Sequence, residues 1–223
     1  MTHAPIAIEP APPPTPSPPL AHTALAILRA GAGKRLGEMF NYVVRPALGL
    51  DAWFGVPDQA LDRVADLEHA NLDWPRQLHA APRLQIPAGV LDTERLNSRA
   101  WRQSVFGAVN LHTTATAMAA FFSRLTSEDG PVRELLGPQL HTELLASQVT
   151  DYDEVFGTRI TWTLGFVRDK GKIAKGGIGG SAAWWWLRHH HGCAYLTRHL
   201  GDHSGAAQIA APSDDGLAVV GED

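Results

Sequence analysis

Lys175-Gly176-Gly177-Ile178-Gly179-Gly180-Ser181 gathers a cation, a hydroxyl and four glycines into seven residues. Glycines let a backbone approach a ligand closely and adopt dihedral angles closed to other residues. Within a strand pattern they mark a bulge or a binding edge. Gly177 to Ala182 also satisfies G-x-G-x-x-A, with Asp202 twenty residues past Ala182. A dinucleotide site needs a strand before that turn and a helix after it. The residues after Ala183 are Trp184-Trp185-Trp186, then a histidine run and Gly192, which is no helix. No G-x-x-x-x-G-K-[ST] occurs, so a P-loop is excluded.

Histidine is the next candidate. His189, His190 and His191 adjoin Cys193, with His199 and His203 nearby, and imidazole and thiolate are the common zinc ligands. Three consecutive histidines at a hairpin tip point different ways, and Gly201 works against a helical pairing of His199 with His203. A solvated hairpin is the stronger reading, and neither metal nor other cofactor is expected.

For nucleophilic catalysis the serines offer little. Gly179-Gly180-Ser181-Ala182-Ala183 ends in alanine, so there is no G-x-S-x-G elbow. The lysines are Lys34, Lys170, Lys172 and Lys175, preceded at three positions by Gly31, Val167, Asp169 and Lys172. Hence there is no S-x-x-K, the spacing that sets an amine beside the hydroxyl it must activate on one helix face. Ser181, beside the glycines, is left as a lone candidate for weak hydrolysis.

These residues need a scaffold, and composition supports one. The chain has 223 residues, 44% apolar and 19% charged, which is globular composition. A net charge of −4 lacks the basic field that nucleic-acid binding needs, so no nucleic acid partner is expected. One cysteine, Cys193, can form no internal disulfide. No apolar run reaches the roughly 18 residues of a membrane span, and no basic segment precedes an apolar stretch at the N-terminus. A cytoplasmic protein without membrane contact is expected.

Half of the 16 prolines fall in the first 19 residues, so 1–22 reads as a disordered Pro-rich leader whose Pro13 and Pro16 make one P-x-x-P. One domain over 23–203 and a frayed tail over 204–223 complete the chain. Apolar residues at three-to-four-residue steps predict a helix over 23–43, interrupted near Gly31 and Gly33 and stopped by Pro46. Residues 45–57 read as an ordered loop, 59–70 as a short helix, and 71–100 as mostly loop. Leu111, Ala115, Met118, Phe122 and Leu125 predict the clearest helix, with Thr113 or Thr114 as its cap and its apolar residues as core. Ile160, Trp162, Leu164 and Phe166 alternate as a half-buried strand would, followed by a Gly-rich turn over 171–180. Two more strands are expected over 182–187 and 193–199, joined by 189–192. Helices first and an antiparallel sheet last is an α+β architecture.

Several stretches resemble a known family in the right order. Residues 33–57 (GKRLGEMFNYVVRPALGLDAWFGVP) resemble the "G-x-s-l-g-x-f … PLGL-D-x-w-x-G-x-P" segment of serine β-lactamase-related proteins, closest to class C-like esterases, the family VIII carboxylesterases. Residues 110–125 resemble that group's "N-g-x-x-T-A-r-x-l-A-r-f-y-a-x-L" helix. Residues 162–181 (WTLGFVRDKGKIAKGGIGGS) resemble its "w-G-L-G-F … f-G-H-g-G-x-G-G-S" strand–turn–strand, and 192–200 its "g-x-a-Y-x-t-N-r-m" strand. The resemblance implies a β-lactamase/transpeptidase-like fold and chemistry through an acyl-serine on an ester or lactam. By resemblance, Lys175 would supply positive charge near a substrate carboxylate or a reacting tyrosine. The backbone N–H of Ile178 would be one of two oxyanion donors, with Gly176 and Gly177 lining the substrate. Lys175 reads equally well as a solvated turn residue.

The departures shape the expectation. S-x-x-K is absent, and the positions two after Tyr42, Tyr152 and Tyr195 are Val44, Glu154 and Thr197, so Y-x-N is absent too. In the family both motifs precede the segment matched by 23–43. The chain is therefore expected to be a partial, C-terminal portion of the fold, lacking the N-terminal catalytic strands and helix and inactive alone. That would leave an unpaired sheet edge and an exposed apolar face including some of Trp184 to Trp186. The alternative is a non-catalytic binding protein reusing the half-fold. Partners expected are a small ester or lactam, and a separate N-terminal half or a second copy.

Overall fold

The computed structural model describes residues 35–210, apart from 72, 75–88, 108, 155 and 170. The leader, the start of the 23–43 helix and the end of the tail lie outside these residues. In chain order come α1 (Leu36–Met39), a π turn (Phe40–Val44), α2 (Arg45–Ala47), β1 (Ala52–Trp53), a 3₁₀ turn (Asp58–Arg63) and β2 (Glu68–His69). Next are α3 (Thr93–Asn97), α4 (Arg99–Gln103), β3 (His112–Thr113), α5 (Ala115–Thr126), α6 (Pro131–Leu136) and α7 (Pro138–Leu145). The sheet strands are β4 (Val149–Asp153), β5 (Thr158–Trp162), β6 (Val167–Asp169), β7 (Lys172–Gly176), β8 (Ala182–Trp186) and β9 (His191–Tyr195). Last come β10 (His199–Leu200) and α8 (Ser204–Ala210).

Strands β4 to β9 form one six-stranded sheet in sequence order, every neighbouring pair antiparallel. The α+β expectation of helices followed by an antiparallel sheet is met. Helix α5 lies across the front of this sheet. The Thr114 hydroxyl caps it, accepting the Ala117 N–H at 3.1 Å. Its buried side then packs on Ile173, Ala183 and Trp185 with Leu48, Leu50 and Val132 in one core. A Cβ at Gly192 would run into the Ala119 backbone carbonyl, so a bare backbone on β9 is what lets α5 approach this closely.

The structure corrects several expectations, each for a non-local reason. The first helix does not stop at Pro46. A widened π turn bonds Arg45 N–H to Phe40 C=O, and Pro46 sits in the first turn of α2, where its missing N–H costs nothing. Residues 59–70 are a 3₁₀ turn and then β2, because the Asn97 amide clamps the Leu67 N–H and C=O, each at 2.8 Å. Beyond that clamp β2 pairs in parallel with β10. The stretch 71–100 contains α3 and the start of α4, capped by Asp92 and Ser98. Five residues are too few to show a helical period. The alternating strand breaks after Trp162: Thr163 N–H bonds Phe166 C=O at 2.8 Å, Gly165 takes φ +105°, and Leu164 is exposed.

Further along, half of the expected turn over 171–180 is strand β7, with the Gly-rich turn itself in the residues after Gly176, and the strand over 193–199 splits into β9 and β10. Helices α6 and α7 and strand β4 were not expected from the sequence pattern. Ser204–Ala210, where the expected tail begins, form helix α8. Trp184, Trp185 and Trp186 are 3%, 7% and 4% exposed, so the expected bare apolar face is not found at these residues. Among the described residues no strand pairs with the outer edge of β9. No helix among them is long and apolar enough to cross a membrane.

This packing sets one titration. Burial pushes the His112 imidazole below its ordinary 6.5, opposed by its bond to the Asn110 carbonyl (Nδ1···O 3.0 Å) and helped by Arg102. As pH falls through 6.5, the unfolded chain takes up a proton that the folded site resists, so stability drops until the folded imidazole itself titrates. The midpoint of thermal unfolding should therefore fall between about pH 7.5 and 5.5, and His112→Gln should flatten that part of the profile. An equally steep profile in the variant would refute the assignment.

Candidate active site

Strand β7 carries the site. Its inner neighbour β8 pairs along the whole strand, Lys175 opposite Ala183 and Gly176 opposite Ala182. Its outer neighbour β6 pairs only as far as Val167 opposite Ala174. The chain enters β6 from the turn at Gly165, and from Lys175 onward no strand lies opposite β7 on that side among the described residues. Gly177 N–H bonds Ser181 C=O at 2.7 Å, which turns the backbone groups of Gly177 toward β8. By the alternation of an antiparallel ladder, the Gly176 N–H and C=O face the open side. The N–H of Ile178 makes no backbone hydrogen bond to a described residue. The result is a short strand edge whose rim carries donors and an acceptor without a backbone partner among the described residues.

The turn beyond it is pinned from behind. Gly180 N–H bonds Gly177 C=O at 3.2 Å, and Gly201 N–H bonds Gly179 C=O at 3.3 Å. The Ile178 side chain is half-buried against the cluster of Trp74, Leu91, Leu96 and Leu200. Gly180 takes φ +93°, and a Cβ there would overlap the Asp202 carbonyl oxygen. The Ser204 hydroxyl and N–H in turn hold the Asp202 carboxyl below its usual range. His203 lies against Gly176, its Nε2 2.9 Å from where a Cβ would stand. This neighbour was not legible in the sequence, because it comes from the segment read as the end of the domain and its tail.

Lys175 is exposed and has no acidic partner within ion-pair distance among the described residues. Its Nζ stands 5.8 Å from the centre of the Trp162 ring. The structure therefore brings Lys175, Gly176, Gly177 and Ile178 together along one edge. Ser181 is placed otherwise: its Oγ accepts the Thr197 N–H at 3.1 Å, and no imidazole or amine among the described residues is bonded to it. Without a base a serine hydroxyl is a weak nucleophile.

The histidines do not converge. His199 pairs with Glu68 at 2.5 Å, the rings of His189 and His190 stand edge-on to Trp186 and Trp185, and burial pushes the Cys193 thiol up. Among the described residues no three His, Cys, Asp or Glu side chains are placed to share a metal ion.

A family model described as beta-lactamase matches residues 21–213. No curated protein matches significantly. Among solved structures, a penicillin-binding protein homolog from Caulobacter crescentus superposes with TM-score 0.64 at 26% identity, covering 82% of this chain and 52% of that one. A family VIII carboxylesterase gives 0.65 at 23% identity, covering 85% and 55%. EstA from Arthrobacter nitroguajacolicus Rue61a gives 0.70 at 19% identity, covering 89% and 59%. The chain thus spans a little over half the length of each of these structures.

Proposed function

The chain belongs to the β-lactamase family, and from that premise we propose that it holds the carbonyl-binding edge of an acyl-serine site without the group that attacks. Lys175 attracts a carboxylate or the polarised oxygen of an ester or lactam. The Ile178 N–H donates to the developing oxyanion, and bare Gly176 and Gly177 let the ligand lie along the backbone. The observation that carries this reading is the open edge of β7, headed by a cation with no acidic partner among the described residues. No S-x-x-K or Y-x-N occurs in the sequence, so this chain supplies neither the nucleophile nor its base. Losing both removes most of the rate enhancement of such an enzyme. Turnover would then require those groups from residues outside this sequence, such as an N-terminal half of the fold. A cytoplasmic setting belongs to the same proposal, supported by the single-cysteine composition.

A ligand-binding role without chemistry is the second reading. It is favoured by the well-buried core beneath the sheet, centred on Phe122 at 0% exposure, which suits a chain that folds by itself.

The test uses a short-chain p-nitrophenyl ester, a chromogenic cephalosporin and a fluorophosphonate label, each against heat-denatured protein. The expected result is no rate above the control and no mass shift from the label. Turnover that survives repurification and disappears in Ser181→Ala would overturn the proposal.

A further inference from the structure

We infer that Trp162, beside Lys175, and Phe156, whose ring adjoins that of Trp162, form an aryl-binding wall, so that the compound taken at this edge joins a carboxylate or ester to an aromatic group. The inference rests on the proposed function of the β7 edge. The two rings stand 6.2 Å apart, tilted by 46°, at the turn of the β4–β5 hairpin and the end of β5. One aspartate organises both. Asp153 Oδ1 accepts the Phe156 N–H at 3.0 Å, its C=O accepts the Gly157 N–H at 2.7 Å, and Oδ2 accepts the Trp162 indole N–H at 3.3 Å. Gly157 takes φ +67°, which closes the turn that presents Phe156.

Yet Phe156 is 62% exposed, with Val149, the β4 partner of Trp162, and Leu164 also exposed. A ring held in place by a dedicated turn but left mostly in water offers apolar area to an incoming group. What the patch adjoins selects that group. Lys175 Nζ is 5.8 Å from the centre of the Trp162 ring, so an anion at the ammonium lies at the Trp162 end of the wall. An aliphatic patch alone would not choose between ligands, whereas rings and a cation together favour an aryl carboxylate over a small one.

The probes are phenylacetate and acetate, titrated into ¹⁵N-labelled chain while following the Gly176 and Ile178 amides. Phenylacetate should bind about tenfold tighter than acetate. Phe156→Ala, at a mostly exposed position, should cut phenylacetate affinity about threefold to tenfold, the range expected for one aromatic contact, and leave acetate unchanged. Lys175→Met should weaken both. If Phe156→Ala leaves the preference intact while Lys175→Met weakens both ligands, the binding edge stands and the aryl wall is refuted. If neither carboxylate moves those amides, both proposals fall. Dimerisation that Phe156→Ala abolishes would also overturn the wall, because a second copy would then own the patch.

Discussion

A Phe122→Ala chain should lose about 3–5 kcal/mol of folding stability, a large share of what a domain of this size holds. Phe122 has no exposed surface at all. Its ring meets Phe121 and Phe166 edge-to-face, each at 5.6 Å, and so links α5 to the turn before β6. Removing it strips the apolar burial of a whole ring and leaves a cavity that α5 cannot close. The Thr114 cap and the Ala119–Gly192 approach hold that helix at both points. With an m-value of about 1–3 kcal/mol per molar urea, the unfolding midpoint should fall by roughly 2 M. A shift worth less than about 1 kcal/mol would mean that the core is not organised around this ring.

Gly180→Ala should be nearly as damaging, and its damage should fall on the site. An L-residue at φ +93° is strained, and the new methyl would overlap the Asp202 carbonyl. Neither side yields easily, because Gly201 is bonded to Gly179 and Asp202 opens α8 through Ser204. Relief requires the turn to move and the Ile178 N–H to leave the rim. Stability should drop by roughly 2–4 kcal/mol, and the carboxylate response of the Gly176 and Ile178 amides should disappear even in the folded fraction. Gly177→Ala is the matched control. The atom nearest its added Cβ is Ser181 O at 3.6 Å, an ordinary contact, so stability should change by less than about 1 kcal/mol. Equal effects from the two substitutions would show that the pinning of the turn is unimportant.

What could be read from the sequence was what short-range physics controls. Helix α5 was legible because its apolar period runs for three turns and its Thr114 cap is a local hydrogen bond. The family resemblance and the missing S-x-x-K and Y-x-N were legible because residue identity and spacing are one-dimensional. The Gly-rich stretch was recognised as unusual for the same reason. Helices α3 and α4 escaped because a single turn shows no period, although Asp92 and Ser98 were available as cap signals. The Asp153-to-Gly157 turn could likewise have marked the β4–β5 hairpin.

Period alone does not show that 172–176 is a strand, since a strand's hydrogen bonds come from its neighbours and not from itself; the family resemblance is what implies it. The tertiary structure decided that β6 begins at Val167, opposite Ala174 and one residue short of Lys175, and that single length opens the edge on which the proposed function rests. The same holds for the burial of Trp184 to Trp186, for His203 beside Gly176, and for one Asp153 carboxylate serving two rings. Composition and period determine which residues leave water. Which of them meet is set by packing between segments far apart in the chain.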